Sequence, residues 1–399
     1  MAINVTGASE SVKGRHRFTS ESVTEGHPDK VADQISDAIV DAALMEDSNS
    51  RVDCETILLQ GTVIVTGQIT TAANIHYSDI VREVLREIGL DNARDGIDWK
   101  TCGILVSVEQ QSPDISMGVN RPGEKMGAGD QGIMFGYASD ETEVLMPLPI
   151  VLAHLIARKL ADIRKNGNLS YLRPDGKSQV TVEYEDGKPV GISAVVVAAQ
   201  HTDEVAQKKV KDDVVSEVIL PSLPESLVGR ETEFFVNETG RFTIGGTRAD
   251  TGITGRKIVV DSYGGFGSHG GGCFSGKDPT KVDRSGSYMA RYVAKNIVKA
   301  GLAPRCKVQL AYAIGVPRPV SFMIDTCGAG KEQELVAASN RIFNFKPGAI
   351  IRDLELMRPI YRKTACYGHF GREEPSFTWE RTDRSTALKE ALDGAKSLR

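Results

Sequence analysis

About a dozen of the chain's 40 glycines fall between Gly240 and Gly276. Glycine inside a helix or strand costs roughly 0.5–1 kcal/mol relative to alanine. That stretch therefore resists long regular elements, and the fold has to be assembled around it from what lies on either side. Both sides carry clear periodicity. Asp29 to Met45 predicts a helix, with Val31, Ile35, Ala38, Ile39 and Ala42 at helical spacing and Pro28 in the first turn. Glu55 to Thr70 is β-branched and predicts a strand. Ser78 is expected to cap a second helix that stops at Gly89, before a strand at 103–108. The middle third predicts a helix at 149–165, a hairpin over 180–200 turning at Asp186-Gly187, and a helix over 203–220 ended by Pro221. After the glycines come a helix at 283–300, strands near 307–314 and 320–325, and a closing helical region from Lys331. Each third mixes strands with helices, which predicts α+β units with helices packed on sheets. No internal sequence repeat is evident.

Composition narrows the class. The 399 residues suggest two or three domains, and 40% hydrophobic content suffices for real cores. No apolar run reaches the ~18 residues of a membrane span, and the polar start, Met1 to Arg17, predicts no signal peptide. A net charge of -5 leaves no nucleic-acid footprint. The six cysteines lie far apart without a CxxC pair, which argues against a zinc ribbon or a disulfide scaffold and fits a reducing cytoplasm. Cys102 and Cys306 read as small buried residues in strands.

Three segments carry candidate chemistry. Glu25-Gly26-His27-Pro28-Asp29-Lys30 stands at a helix start, where anions are favoured. Asp29 is able to hold Mg2+, His27 to donate to a developing oxyanion, and Lys30 to touch phosphate. The spacing alone equally fits a capping Asp29 with solvated His27 and Lys30. Gly271 to Asp278 nearly matches the phosphate-binding pattern GxxxxGK[ST], but Asp278 replaces the hydroxyl and no long strand leads in, so it is no Walker A loop. Such a loop still brings backbone N–H groups toward phosphates, with Lys277 adding charge; an ordinary flexible loop is the alternative. Around it Asp250, Arg256, Lys257, Asp261, Lys277, Asp278, Lys281, Asp283 and Arg284 alternate in sign. Cations suit a polyphosphate and interspersed carboxylates suit Mg2+, against the plain reading of a solvated face. Gly127 to Gly132 frames a further carboxylate, Asp130. Phe242 reads as core on a strand. The polar stretch Gln111 to Ala128 reads as a mobile loop. Together these predict an enzyme that binds a nucleotide or polyphosphate with Mg2+.

The same segments resemble the S-adenosylmethionine synthetases (methionine adenosyltransferases). The motifs are GHPDK at 26–30, GAGDQG at 127–132 and GGGCFSGKD at 270–278 leading into PTKVDRS. ITGRKIVVDSYGG at 253–265, RPDGKSQV at 173–180 and YGHFGRE at 367–373 support them. The resemblance implies three similar α+β sandwich units, with mixed sheets and helices packed on one face. It divides the chain into a leader (1–15), an N-terminal domain (16–114), an active-site loop (115–127), a central domain (128–245) and a C-terminal domain (246–399). It also implies two chains in a dimer, or a dimer of dimers, with shared active sites.

The reaction it implies is ATP plus L-methionine plus water giving S-adenosylmethionine, phosphate and diphosphate. By resemblance His27, Lys177, Arg256 and Lys277 are catalytic. His27, Asp130, Lys177, Phe242, Asp250, Arg256, Lys257 and Lys277 line ATP. Gln68, Gln111, Asp250 and Lys281 line methionine. Asp29 and Asp283 hold two Mg2+ ions per site, and Glu55 holds one K+ per subunit. For Phe242 the resemblance overrides the core reading. Gln68 stands where the family usually carries Glu. Losing that charge opposite an ammonium weakens a hydrogen bond by roughly 1 kcal/mol, about fivefold in affinity, unless Asp250 compensates. The rival readings are a kinase or ligase attacking phosphorus, and a nucleotide-binding regulatory protein with an inactive site.

Overall fold

The computed structural model describes residues 14–111 and 123–396. The expected leader, save its end at 14–15, and most of the expected active-site loop lie outside these residues. In the first third the elements are β1 (Arg15–Val23), α1 (Pro28–Glu46), β2 (Arg51–Leu59), β3 (Thr62–Thr70), α2 (Tyr77–Ile88), the short pair β4 (Asp91–Asn92) and β5 (Ile97–Asp98), and β6 (Gly103–Glu109). The middle third holds β7 (Gly132–Ser139), α3 (Leu148–Lys165), β8 (Leu172–Glu185), β9 (Lys188–His201), α4 (Gln207–Asp213) and β10 (Val228–Val236). The last third holds β11 (Gly252–Ile253), α5 (Ile258–Asp261), α6 (Val282–Lys299), β12 (Arg305–Tyr312), β13 (Ser321–Asp325), α7 (Glu332–Ile342), α8 (Pro347–Asp353) and α9 (Ser385–Lys396).

Three sheets follow one plan, in which a helix leads into an antiparallel hairpin: α1 into β2–β3, α3 into β8–β9, α6 into β12–β13. In the first two units a further helix then returns the chain to a parallel strand, β6 or β10. The strand preceding each lead helix pairs with another unit's hairpin. β1 adds to β8, β7 adds to β12, and β11 adds to β2. The exchange is cyclic, so the sheets β1-β8-β9-β10, β11-β2-β3-β6 and β13-β12-β7 each span two thirds of the sequence. A repeat invisible in the sequence is thus present in the topology. It also explains the cores: one apolar cluster joins the first and third units, and another fills the middle unit.

Several expectations change. The single strand over 55–70 is a hairpin, turning at Gln60-Gly61 with Gly61 in the left-handed region. Ser78 does not cap α2; the chain enters that helix at His76 without a side-chain cap. The helix over 203–220 is α4 followed by a wider π turn, 214–219. Phe242 lies beyond β10, half-buried, in no strand. Cys102 is buried just before β6, while Cys306 is buried within β12. The Asp186-Gly187 turn is as expected, with both residues at positive φ.

α1 sits at the centre, with 15 of its 19 residues buried. Val31, Ile35 and Ile39 pack into the core; complete burial of such a side chain contributes about 1.5–3 kcal/mol. A second stripe, Asp29, Asp33, Asp37 and Asp41, repeats every four residues and so lies along one helix face. These carboxylates accept backbone N–H groups from Ile253, Gly255, Gly276, and Tyr361 with Arg362, respectively. The glycine-rich region is therefore tied to a buried helix rather than loose. The outer edge of β2 receives it as well. Cys54 N–H bonds Gly276 O, Asp278 N–H bonds Val52 O, and Thr254 N–H bonds Thr56 O.

Candidate active site

The expected site residues fall into two groups along α1. The first gathers at its N-terminus. His27 caps the helix, with Nδ1 accepting the Asp29 N–H at 3.2 Å. Asp29 accepts Ile253 N–H at 3.0 Å and the Lys257 ammonium at 2.5 Å. Burial alone would raise the Asp29 carboxyl, yet Lys257 and the Ile253 N–H hold it below its ordinary range. His27 is only 2% exposed, and burial, then the Lys257 charge, pushes its pKa down to about 3. The ring is neutral at pH 7. Because Nδ1 accepts a backbone N–H, the ring proton sits on Nε2, which is left as a neutral donor. The exposed Lys177 on β8 also acts on His27. Two residues earlier, Asp175 accepts the Gly246 N–H and anchors the 241–250 segment. That segment carries Phe242, whose backbone bonds His201 at both N–H and C=O, and the exposed Asp250, whose charge acts on Asp175. Arg256 is exposed.

The second group gathers where α6 begins. Lys277 bonds Asp283 at 2.6 Å, and Lys281 bonds Asp278 at 2.6 Å. Burial disfavours the Lys277 ammonium, but Cys273 and Asp283 keep it above its ordinary value. Gly272 leaves room for Asp283: a Cβ there would lie 2.3 Å from the carboxylate. Gly276 is in the left-handed region, and a Cβ there would collide with Cys54 O, so no other residue fits easily. Asp278 is the anchor. It accepts Val52 N–H and both the N–H and hydroxyl of Thr280, and it is fully buried. Gly129 packs on Thr280 O and Gly132 on Asp283, which brings the exposed Asp130 alongside. Asp53 pairs with Lys277 in a β-bridge and with Gln68 in the β2–β3 register. Glu55 and Gln68 are exposed on that sheet face, and Gln111 N–H bonds Thr70 Oγ1 at the face's end.

Asp29 and Asp37, which hold the two groups, lie eight residues apart, about 12 Å along the helix axis. Among the described residues, no hydrogen bond or ion pair joins the groups. Three expected phosphate or metal residues serve the fold instead. Lys30 is buried between Asp33 (2.7 Å) and Asp261 (2.5 Å), and Arg284 is buried on Asp37 (2.7 Å). The flexible-loop alternative for 271–278 also fails, since both of its strand-side bonds and the Asp37 contact pin it. The aspartate stripe of α1 and Asp53 escaped the sequence reading. The four-residue spacing of the stripe was a usable signal; the strand register that places Asp53 was not.

This arrangement offers one neutral donor, two lysine–carboxylate pairs with an open side, and the cations Lys177 and Arg256, which have no ion-pair partner among the described residues, all near helix N-termini. Such a set suits a polyphosphate. Comparison with known proteins gives the family. Models of the N-terminal, central and C-terminal domains of S-adenosylmethionine synthetase match residues 15–113, 125–242 and 244–381. The S-adenosylmethionine synthase of Syntrophobacter fumaroxidans is 56% identical over 94% of this chain and 97% of its own. That of Desulfosudis oleivorans is 55% identical over 94% of this chain and 98% of its own. The chain belongs to the S-adenosylmethionine synthetase family.

Proposed function

We propose a division of labour among these residues for the reaction of this family. The chain is a methionine adenosyltransferase (EC 2.5.1.6) and makes S-adenosylmethionine from ATP and L-methionine. The methionine sulfur attacks C5′ of ATP; the C–S bond forms as the C5′–O bond breaks, and triphosphate leaves with the electron pair. Sulfur needs no base, so the work lies in steadying the leaving group. His27 Nε2–H donates to the departing oxygen, and its neutral state means it gives a hydrogen bond rather than a full proton. Lys177, Arg256, Lys257 and Lys277 neutralise the phosphates, and water then cleaves the triphosphate to phosphate and diphosphate. Asp130, Phe242 and Asp250 hold the nucleoside side; Gln68, Gln111, Asp250 and Lys281 hold methionine.

Magnesium fits the donor set. Asp29 and Asp283 each present one carboxylate now held by a lysine, and no cluster of three or more His, Cys, Asp or Glu occurs among the described residues. Mg2+ characteristically takes one or two carboxylates and completes its shell with phosphates and water; when bound it would spread the triphosphate charge. Glu55 offers one exposed carboxylate to K+. The observation that carries the reading is the pairing of Lys257 with Asp29 and Lys277 with Asp283: each lysine is poised to leave its carboxylate to a metal and turn to a phosphate. ATP bearing 18O at the 5′ bridging position tests it. Label is expected in the phosphate products; label retained in the nucleoside would overturn attack at C5′.

We also propose that each active site takes one group from each of two chains. The open face of β11-β2-β3-β6 supports pairing: Leu105 is 58% and Leu59 37% exposed there. Mixing inactive Lys257→Met and Lys277→Met proteins is expected to restore activity, because a mixed dimer regains one intact site; no recovery would sink the shared site. Among the described residues no helix is long and apolar enough to cross a membrane, and all six cysteines are free thiols. This supports a cytoplasmic setting.

A further inference from the structure

Methionine is a zwitterion, so its binding site needs an anion beside a cation. Most carboxylates near the two groups are already committed: Asp29 to Lys257, Asp33 to Lys30 and Gly255 N–H, Asp283 to Lys277, and Asp278 to Lys281 and Thr280. Asp53 differs. It is half-buried, and among the described residues its side chain makes no hydrogen bond or ion pair. Burial pushes its carboxyl up, as do the Asp278 and Asp283 charges, while Lys281 and then Lys277 draw it down. It stands directly opposite Gln68 in the β2–β3 register, so both side chains lie on one sheet face. Gln68 is in turn opposite Glu109 of β6, and Gln111 is tied to Thr70, two residues along that face. A carboxylate unpaired among the described residues thus shares a sheet face with Gln68, near Gln111, and feels the charge of Lys281.

We propose that Asp53 binds the α-ammonium of methionine, with the Gln68 carbonyl as a second acceptor and Lys281 facing the substrate carboxylate. The inference deepens the reading of this chain as a methionine adenosyltransferase and rests on it. Asp53 then sets the preference for an amino acid over a simple thioether acid. Gln68 has a consequence too: a glutamate at 68 would place two acidic side chains directly opposite each other, since positions 53 and 68 are partners in the register, and like charges so placed destabilise a strand pair.

Wild-type product formation from ATP and methionine is established first; failure there is failure of the functional reading, not of this one. Asp53→Asn is then expected to raise the KM for methionine about tenfold, as loss of a charge-assisted hydrogen bond does, with the KM for ATP changed less than about twofold. The inhibition constant of 4-(methylthio)butanoate, methionine without its ammonium, is expected to be alike in wild type and Asp53→Asn. Glu109→Gln is the control and leaves the methionine KM unchanged. Asp53→Asn/Gln68→Glu moves the charge across the strand pair and is expected to recover most of the loss, which a folding defect at position 53 would not allow. An unchanged methionine KM in Asp53→Asn, a loss shifted to ATP or Mg2+ dependence, a loss carried by Glu109→Gln, or no recovery in the double variant would each overturn the proposal.

Discussion

Asp29 and Lys30 are neighbours in sequence, yet they belong to two different regions of the molecule. Asp29 meets Lys257 at the rim of the candidate site, where the lysine is 18% exposed. Lys30 meets Asp33 and Asp261 in the interior, all three side chains below 5% exposure. The bonds themselves barely differ: 2.5 Å at Asp29–Lys257, 2.6 Å at Lys277–Asp283, 2.7 Å at Lys30–Asp33 and 2.7 Å at Arg284–Asp37. What differs is whether a ligand can reach them. An interior pair has no third party to trade with, because separating it strands a charge in a poor dielectric. On the proposed reading, a rim pair exchanges partners when a metal ion and a polyphosphate arrive together. Length does not mark a functional ion pair; one open side does.

The largest expected effect comes from breaking a rim pair. Lys277→Met should lower kcat about 10²–10³-fold, the usual cost of removing one preorganised donor to a charged leaving group. The melting temperature should hardly move, since Asp283 is left with access to water. Steady-state kinetics beside a thermal melt checks both. A kcat near wild type, or a melt as damaged as the kcat, would erase the distinction between rim and interior.

Breaking an interior pair should do the reverse. Arg284 and Asp37 are both fully buried, and Asp37 also holds Gly276. Arg284→Met leaves that carboxylate without its cation, at a cost of about 3–5 kcal/mol. Asp37→Asn/Arg284→Met should recover part of this, because no uncompensated charge remains. Denaturant unfolding measures the series. A double variant less stable than Arg284→Met would contradict the account.

Acid sharpens the comparison at His27, which belongs to both regions: buried like the interior, placed at the rim. Its folded pKa is about 3, against about 6.5 unfolded. Between those values the unfolded chain binds a proton that the folded chain refuses. Stability is thus full above pH 6.5 and falls as the pH drops toward 3, at up to about 1.4 kcal/mol per pH unit for one histidine. Buried His154, also at about 3, acts in the same direction, as does His369. His27→Asn keeps an acceptor for the Asp29 N–H and should flatten the slope by one proton's worth. In wild type, kcat should show no inflection near pH 6.5 from this ring. Stability curves from pH 4 to 7 that are parallel in variant and wild type would mean the ring is charged in the fold.

Much of this division was legible only in part from the sequence. Motifs pointed to the segments from which the proposed site is built, because glycine, carboxylate and lysine types are what polyphosphate chemistry requires. They could not separate Asp29 from Lys30, since adjacent helix residues point about 100° apart and the packing partner decides which one is buried. Asp261 and Arg284 looked like part of a charged site for the same reason: their partners, Lys30 and Asp37, are distant in sequence. Long helices such as α1, α3 and α6 were readable from period alone. The hairpin at Gln60-Gly61 was hidden between two β-branched runs, and the cyclic exchange of β1, β7 and β11 is a non-local pairing that no window contains. Asp53 matters only through its register with Gln68, which the sequence does not display.

The smallest expected effect completes the scale. Lys208 and Asp212 on α4 are 2.6 Å apart, as close as the pair at Lys277, but with side chains 87% and 59% exposed. Water and salt compete for both charges, and exposed pairs of this kind contribute almost nothing measurable. Lys208→Ala should therefore change neither the melting temperature nor kcat beyond experimental scatter, at low or high salt. A clear loss of stability at low salt would show that proximity carries weight by itself. The contrast between rim and interior would then be one of degree, with burial adding to a strength the pair already has in water, instead of creating it.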